Sequence, residues 1–114
     1  MIHDMRLQKE YYNYIKNGTK RIEIRLYDEK RRQLKIDDTI RFHLLDDENE
    51  YLEVKVIGLL RYKDIETLIN NHDIKLLTKE TMPKEELIAI FNNIYNKEEQ
   101  AKYGVLGILF NIIK

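Results

Sequence analysis

Apolar and polar residues change their period several times along this 114-residue chain, and each change marks an element. Residues 2–7 predict a short strand. Over residues 8–17, Tyr11, Tyr12, Tyr14 and Ile15 recur at helical spacing, and Gly18 stands where a left-handed terminator ends a helix. Residues 20–27 then alternate strictly. Ile22, Ile24 and Leu26 fall on one face of that strand, and Arg21, Glu23, Arg25 and Tyr27 on the other. A basic loop over 28–35 leads to a strand over 39–45, and a polar turn over 46–49 joins it to another over 51–61, the pair forming a hairpin. Asp64 is placed to cap a helix carrying Ile65, Leu68 and Ile69. Pro83 opens a longer helix with Leu87, Ile88, Ile90, Phe91 and Ile94 inward. Asn96 and Glu99 form a capping signal for a further short helix ended by Gly104, and the apolar stretch 105–113 suits a central strand. Strand, helix, several strands, helices, strand is the order of a mixed α+β fold. With hairpin connections and helices gathered at one end, it predicts one domain over 1–114, a small, partly closed β-barrel with flanking helices.

Composition narrows the chemistry. At 13.9 kDa, 43% hydrophobic and 35% charged, the chain buries roughly 65% of its extended surface on folding, which is enough for one core without metal or disulfide staples. It contains no cysteine, serine or tryptophan. A covalent mechanism is therefore left with Thr, Lys, Tyr or a carboxylate, or with an activated water. The longest uncharged run, 103–113, is shorter than the roughly 20 residues that span a bilayer, and Asp4 and Arg6 interrupt any signal-like start, which implies a cytoplasmic protein without a membrane partner. His3, His43 and His72 lie too far apart to share a helix face, so no metal is expected. The four glycines are isolated, so no nucleotide cofactor is expected either.

Net charge is zero, but unevenly distributed. Residues 1–35 hold ten Lys or Arg against five Asp or Glu, and residues 36–75 reverse those numbers. A basic N-terminal third makes a positive field available to an anionic ligand, unless the fold intermixes the two regions.

The run Gly18-Thr19-Lys20-Arg21-Ile22-Glu23-Ile24-Arg25 is similar to the signature of the ASCH domain family. Asp28, the stretch Leu34-Lys35-Ile36-Asp37-Asp38-Thr39-Ile40 and the closing Tyr103-Gly104-Val105-Leu106-Gly107-Ile108 extend the resemblance over nearly the whole chain. It implies a PUA-like barrel with a cleft beside the Lys-Glu-Arg strand, in a superfamily associated with RNA and modified nucleosides. One branch of the family resembles the chain more narrowly: small amidohydrolases that deacetylate N4-acetylcytidine with the motif lysine, a threonine three residues after it and a later glutamate. Lys20 matches that lysine. Glu23 stands where the threonine belongs, and Glu66, Glu85 and Glu86 are each eligible as the later glutamate.

Glu23 and Arg25 project from one strand face, and Lys20, just after a glycine turn, is free to swing toward it. By spacing alone the row reads rather as exposed cross-strand ion pairs worth roughly 0.2–1 kcal/mol each. With the resemblance it lines a cleft. Arg25 offers a planar fork, Lys20 a mobile cation and Glu23 an acceptor for an exocyclic amine. If the domain is an enzyme, Lys20 and Glu23 are its catalytic pair, with Glu23 activating water. Lys30, Arg31, Arg32, Lys35 and Arg41 form a candidate phosphate-backbone patch, supported by Arg21 and Arg25, with Tyr27 placed to stack on a base. The leading expectation is a domain that binds RNA or a modified nucleoside through Lys20, Glu23, Arg25, Arg21, Tyr27, Arg31 and Arg32. Hydrolysis of a modified nucleoside and a protein-interaction module are the alternatives.

Overall fold

The computed structural model describes residues 1–79 and 81–113. In chain order the elements are strand β1 (Ile2–Leu7), helix α1 (Lys9–Lys16), strand β2 (Ile22–Leu26), a single 3-10 turn (Arg31–Gln33), strands β3 (Thr39–Leu44) and β4 (Asp47–Tyr62), helices α2 (Ile65–Asn70), α3 (Ile74–Leu77), α4 (Lys84–Ile94) and α5 (Lys97–Tyr103), and strand β5 (Val105–Ile113). The strands form one sheet in the order β1-β3-β4-β5-β2. The pair β1–β3 is parallel, and the other three are antiparallel. The apolar strand β5 is therefore interior, as its composition predicts, while β1 and β2 are the edges.

The sheet is curled. The rings of Phe42 on β3 and Phe110 on β5 lie 5.5 Å apart although β4 runs between their strands. Strands two positions apart are separated by about 9.6 Å in a flat sheet, so the rings meet on a concave face. A bulge between Val56 and Gly58 sits on β4, the longest strand, where an extra residue bends the ladder. Met5, Leu7, Ile40, Phe42, Val56 and Phe110 fill this inner face together with Tyr12 and Ile15 of α1. On the outer face Ile22, Ile24 and Val105 pack against Leu68, Leu77, Leu87 and Phe91 of the later helices. The result is the half-barrel with flanking helices that the element order predicts.

Local signals act where the sequence places them. Gly18 ends α1 at φ 83°, Asp64 accepts a hydrogen bond from the Thr67 amide to cap α2, and Asn96 with Glu99 forms a reciprocal capping box on α5. Three details differ from expectation. The hairpin loop is shorter than 46–49, because Asp47 already pairs with Leu44, leaving two loop residues and starting β4 four residues earlier than Tyr51. Helix α3 is unannounced, being one turn long. Ile94 is 53% exposed at the last turn of α4, and Tyr95, the half-buried C-cap residue, takes its place against the outer cluster.

Candidate functional site

Strand parity places the charged row. Across the β2–β5 ladder Glu23 is opposite Ile108 and Arg25 opposite Leu106, and both β5 residues belong to the inner cluster. Glu23 and Arg25 therefore turn inward at the edge of the half-barrel. The Glu23 carboxylate lies between two cations, with Oε1 3.2 Å from Lys20 Nζ and Oε2 accepting from Arg25 Nε at 2.8 Å. Lys20 Nζ also donates to the carbonyls of Ile22 at 2.6 Å and Leu77 at 2.8 Å. An ammonium has three protons, and all three are engaged.

Lys20 is 0% exposed and Glu23 5% exposed. The exposed-ion-pair reading is thereby excluded, and so is the swinging lysine: three acceptors, two of them main-chain carbonyls, fix the ammonium inside the protein. Burial pulls Lys20 toward its neutral form, and Glu23 opposes that pull. Burial likewise pushes the Glu23 carboxyl up, but Arg25 and then Lys20 outweigh it and hold Glu23 below its ordinary value. Glu23 is ionised at neutral pH. The exposed end of the row is Arg25, whose side chain keeps 16% of its surface.

Arg25 Nη2 donates to the Arg6 carbonyl of β1 at 2.9 Å. With Nε on Glu23, two of the five guanidinium N–H groups are assigned, and three have no protein acceptor among the described residues. Beside this fork runs an aromatic wall built by α1 and α4. Lys20 Nζ is 5.6 Å from the Tyr11 ring centroid, the Tyr11 and Phe91 rings are 6.5 Å apart, and Phe91 stacks on Tyr95 at 6.4 Å. Burial pushes the Tyr95 hydroxyl up, with Glu23 and Asp28 adding to that push and Arg25 and Arg31 opposing it. Arg31 Nη1 pairs with Asp28 at 3.3 Å, while its Nε is buried without a partner. Tyr11 and Tyr95 are the site residues that sequence reasoning missed. Tyr11 was masked by two neighbouring tyrosines, and Tyr95 lies just outside the helical pattern of α4.

The remaining predicted residues are not gathered in one place. Arg21 turns to β5, where its guanidinium bonds the Asn111 side chain and the Phe110 carbonyl. Arg32 separates from Arg31 and lies over Tyr27, with Cζ 4.8 Å from the ring centroid. Arg41 pairs with Glu53 at 2.9 Å. Cavities of about 490, 400 and 590 Å³ open elsewhere, and none is lined by Lys20, Glu23 or Arg25. Among the described residues no group of three or more potential ligands gathers for a metal ion, and no helix is long and apolar enough to cross a membrane.

A curled five-stranded sheet with a lysine–glutamate–arginine row on an edge strand defines a small PUA-like α+β domain. The chain belongs to the ASCH domain family, whose family model matches residues 5–114. It is similar to the crystal structure of hypothetical protein PH0355, at 38% identity and a TM-score of 0.88, with 99% of this chain and 100% of that chain covered. It is also similar to the solution NMR structure of protein PF0455 from Pyrococcus furiosus, at 33% identity and a TM-score of 0.80, with 100% and 99% covered. No curated protein matches the chain.

Proposed function

We propose that the domain binds RNA or a modified nucleoside at the rim formed by Arg25, Tyr95 and Arg31, with Lys20 and Glu23 as the buried base that holds Arg25 in place. The observation that carries this reading is the Arg25 guanidinium, clamped by Glu23 and the Arg6 carbonyl yet keeping three N–H groups beside an aromatic wall. A clamped fork meets a base carbonyl or phosphate at little entropic cost, and an adjacent ring supplies a stacking face. The family's association with RNA and modified nucleosides points the same way.

Hydrolysis of an acylated nucleoside by Lys20 and Glu23 is the weaker reading. A general base near pH 7 works best with a pKa close to 7, whereas Glu23 is held below its ordinary value, and all three Lys20 protons are engaged. Titration of cytidine, N4-acetylcytidine, uridine and a short single-stranded RNA, followed by thermal shift, tests the binding reading. A ligand at 100 times its Kd adds about 2.7 kcal/mol of apparent stability. Stabilisation by one of these that is lost in Arg25→Ala is the expected result. Silence from all four would overturn the proposal in favour of a protein-interaction module.

A further inference from the structure

A polar bracket stands behind the rim, where α2, α4 and α5 meet the turn at Gly104. Gln100 of α5 is buried, and every polar atom of its side chain is engaged. Its Oε1 accepts from the Ile65 amide at 2.9 Å, and its Nε2 donates to the Tyr95 carbonyl at 2.7 Å and to Asn92 Oδ1 at 2.9 Å. The Ile65 amide can only donate and the Tyr95 carbonyl can only accept, so these bonds fix the orientation of Gln100 and, through it, turn the Asn92 oxygen inward. The Asn92 Nδ2 group therefore points away from the bracket, and its protons have no protein acceptor among the described residues.

Asn92 and Gln100 line the cavity of about 490 Å³, together with Lys63, Asp64, Glu66 and Lys97. Asp64 gives Oδ1 to the Thr67 amide at 2.8 Å, and its Oδ2 has no protein donor among the described residues. The bonds from Thr67 hold the Asp64 carboxyl below its ordinary value, and Lys63 and Lys97 add to that pull, which places both ammoniums near this carboxylate. Two cations and two carboxylates leave the lining without net charge. The cavity thus offers a fixed amide donor, a fixed carboxylate acceptor and mobile charges of both signs. Its lining residues include no aromatic ring, so a nucleobase would find no stacking face.

We propose that this cavity binds a free α-amino acid, its carboxylate received by Asn92 Nδ2 and Lys97 and its ammonium by Asp64 and Glu66. A zwitterion carries both charges on one carbon atom, so it uses donor and acceptor at once and adds no net charge to a neutral lining. A lone anion or a lone cation would engage one half of the lining and be repelled by the other. A phosphate backbone fares as a lone anion does, because Asp64 and Glu66 face it. The volume lies within the about 300–1,000 Å³ usual for ligand pockets and leaves room for a side chain beside the charged groups. Because Gln100 holds both Asn92 and the Tyr95 carbonyl, an occupant that grips Asn92 also steadies the turn that sets Tyr95 at the rim. The proposal does not rest on the nucleoside reading, since Arg25, Arg31 and Tyr95 do not line this cavity.

NMR titration of the isotope-labelled whole chain with L-serine and with L-glutamine tests it, with propionate and ethylamine as probes that carry one charge each. Either amino acid is expected to shift the Asn92 side-chain amide and the backbone amides of Gly104 and Tyr95, with a Kd about tenfold or more below that of propionate or ethylamine. Asn92→Asp keeps the oxygen that Gln100 needs and replaces the Nδ2 donor with a second carboxylate oxygen, so its spectrum should otherwise match the wild type while amino-acid affinity falls about tenfold or more. Lys97→Gln, at an exposed position, gives an independent test and should weaken binding about threefold. Lys75→Ala, which removes an exposed cation elsewhere, should bind as the wild type does. No shift of the Asn92 side chain with either amino acid at about 50 mM, equal Kd values for the amino acids and the single-charge probes, or an undiminished affinity in both Asn92→Asp and Lys97→Gln overturns the proposal, whether or not nucleosides bind at Arg25.

Discussion

Arg25 reaches from one edge of the sheet to the other, its Nη2 donating to the carbonyl of Arg6 at 2.9 Å. The strands β1 and β2 share no ladder, so this bond is a clasp across the open seam of the half-barrel. Arg25→Ala should cost about 1.5–3 kcal/mol, the usual worth of hydrogen bonds to a charged group. Urea unfolding measures the loss, and amide exchange of β1 should accelerate. A change below about 0.5 kcal/mol would show that the seam is held by packing alone.

Glu23→Ala should be more damaging, because it leaves a fully buried ammonium without its counter-charge. Breaking a buried pair by removing one partner typically costs about 3–5 kcal/mol. Glu23→Gln keeps an acceptor and should fall between the wild type and the alanine variant. Denaturant midpoints of the three proteins give the order, and equal stabilities would contradict the burial of the row.

Acid should unfold the protein partly through this residue. The folded pKa of Glu23 is lowered from the ordinary 4.5, so its contribution is complete above 4.5 and is lost as pH falls through the lower folded value. Melting temperatures between about pH 5 and pH 2 should drop more steeply in the wild type than in Glu23→Gln. Parallel curves would show that other carboxylates carry the acid transition.

His43 predicts the opposite slope. Its Nε2 lies 2.7 Å from Asp4, and that hydrogen bond, with one to the Glu48 carbonyl, raises its pKa above the ordinary 6.5. The stabilisation is therefore complete below 6.5 and disappears as pH rises through the raised folded value. Because Asp4 is mostly exposed, the effect should stay under about 1 kcal/mol. Thermal unfolding of His43→Gln between about pH 6 and 8 should show a flatter dependence than the wild type.

Incubation with N4-acetylcytidine should release no cytidine. Robust release by the wild type, followed over time by chromatography, would replace the binding reading with a hydrolytic one. Glu23→Thr, which puts a hydroxyl at the family's threonine position, should lose stability as Glu23→Ala does, since a threonine does not neutralise the buried Lys20.

Much of the molecule was legible because its signals are local. A period of two announces β2, a period near 3.6 announces α1 and α4, and Gly18, Asp64, the Asn96–Glu99 pair and Gly104 end or begin elements by their own conformational and hydrogen-bonding preferences. Strand parity also put Glu23 and Arg25 on one face, as the structure has them. The row itself was thus readable from residue spacing, and its family resemblance from the same residues.

The sequence by itself determined most of the elements, the caps of α2 and α5 and the co-facial Glu23 and Arg25, since each depends on interactions spanning a few residues. Tertiary structure decided the rest. Lys20 is immobile because Leu77, in a helix too short to show a period, brings a carbonyl to it from 57 residues away. Arg31 and Arg32 part because a 3-10 turn points one toward Asp28 and the other over Tyr27. Arg61 joins Arg32 only because β2 and β4 end against the same residue of β5. Charge, burial and company at these positions depend on contacts between distant segments, which no local pattern encodes.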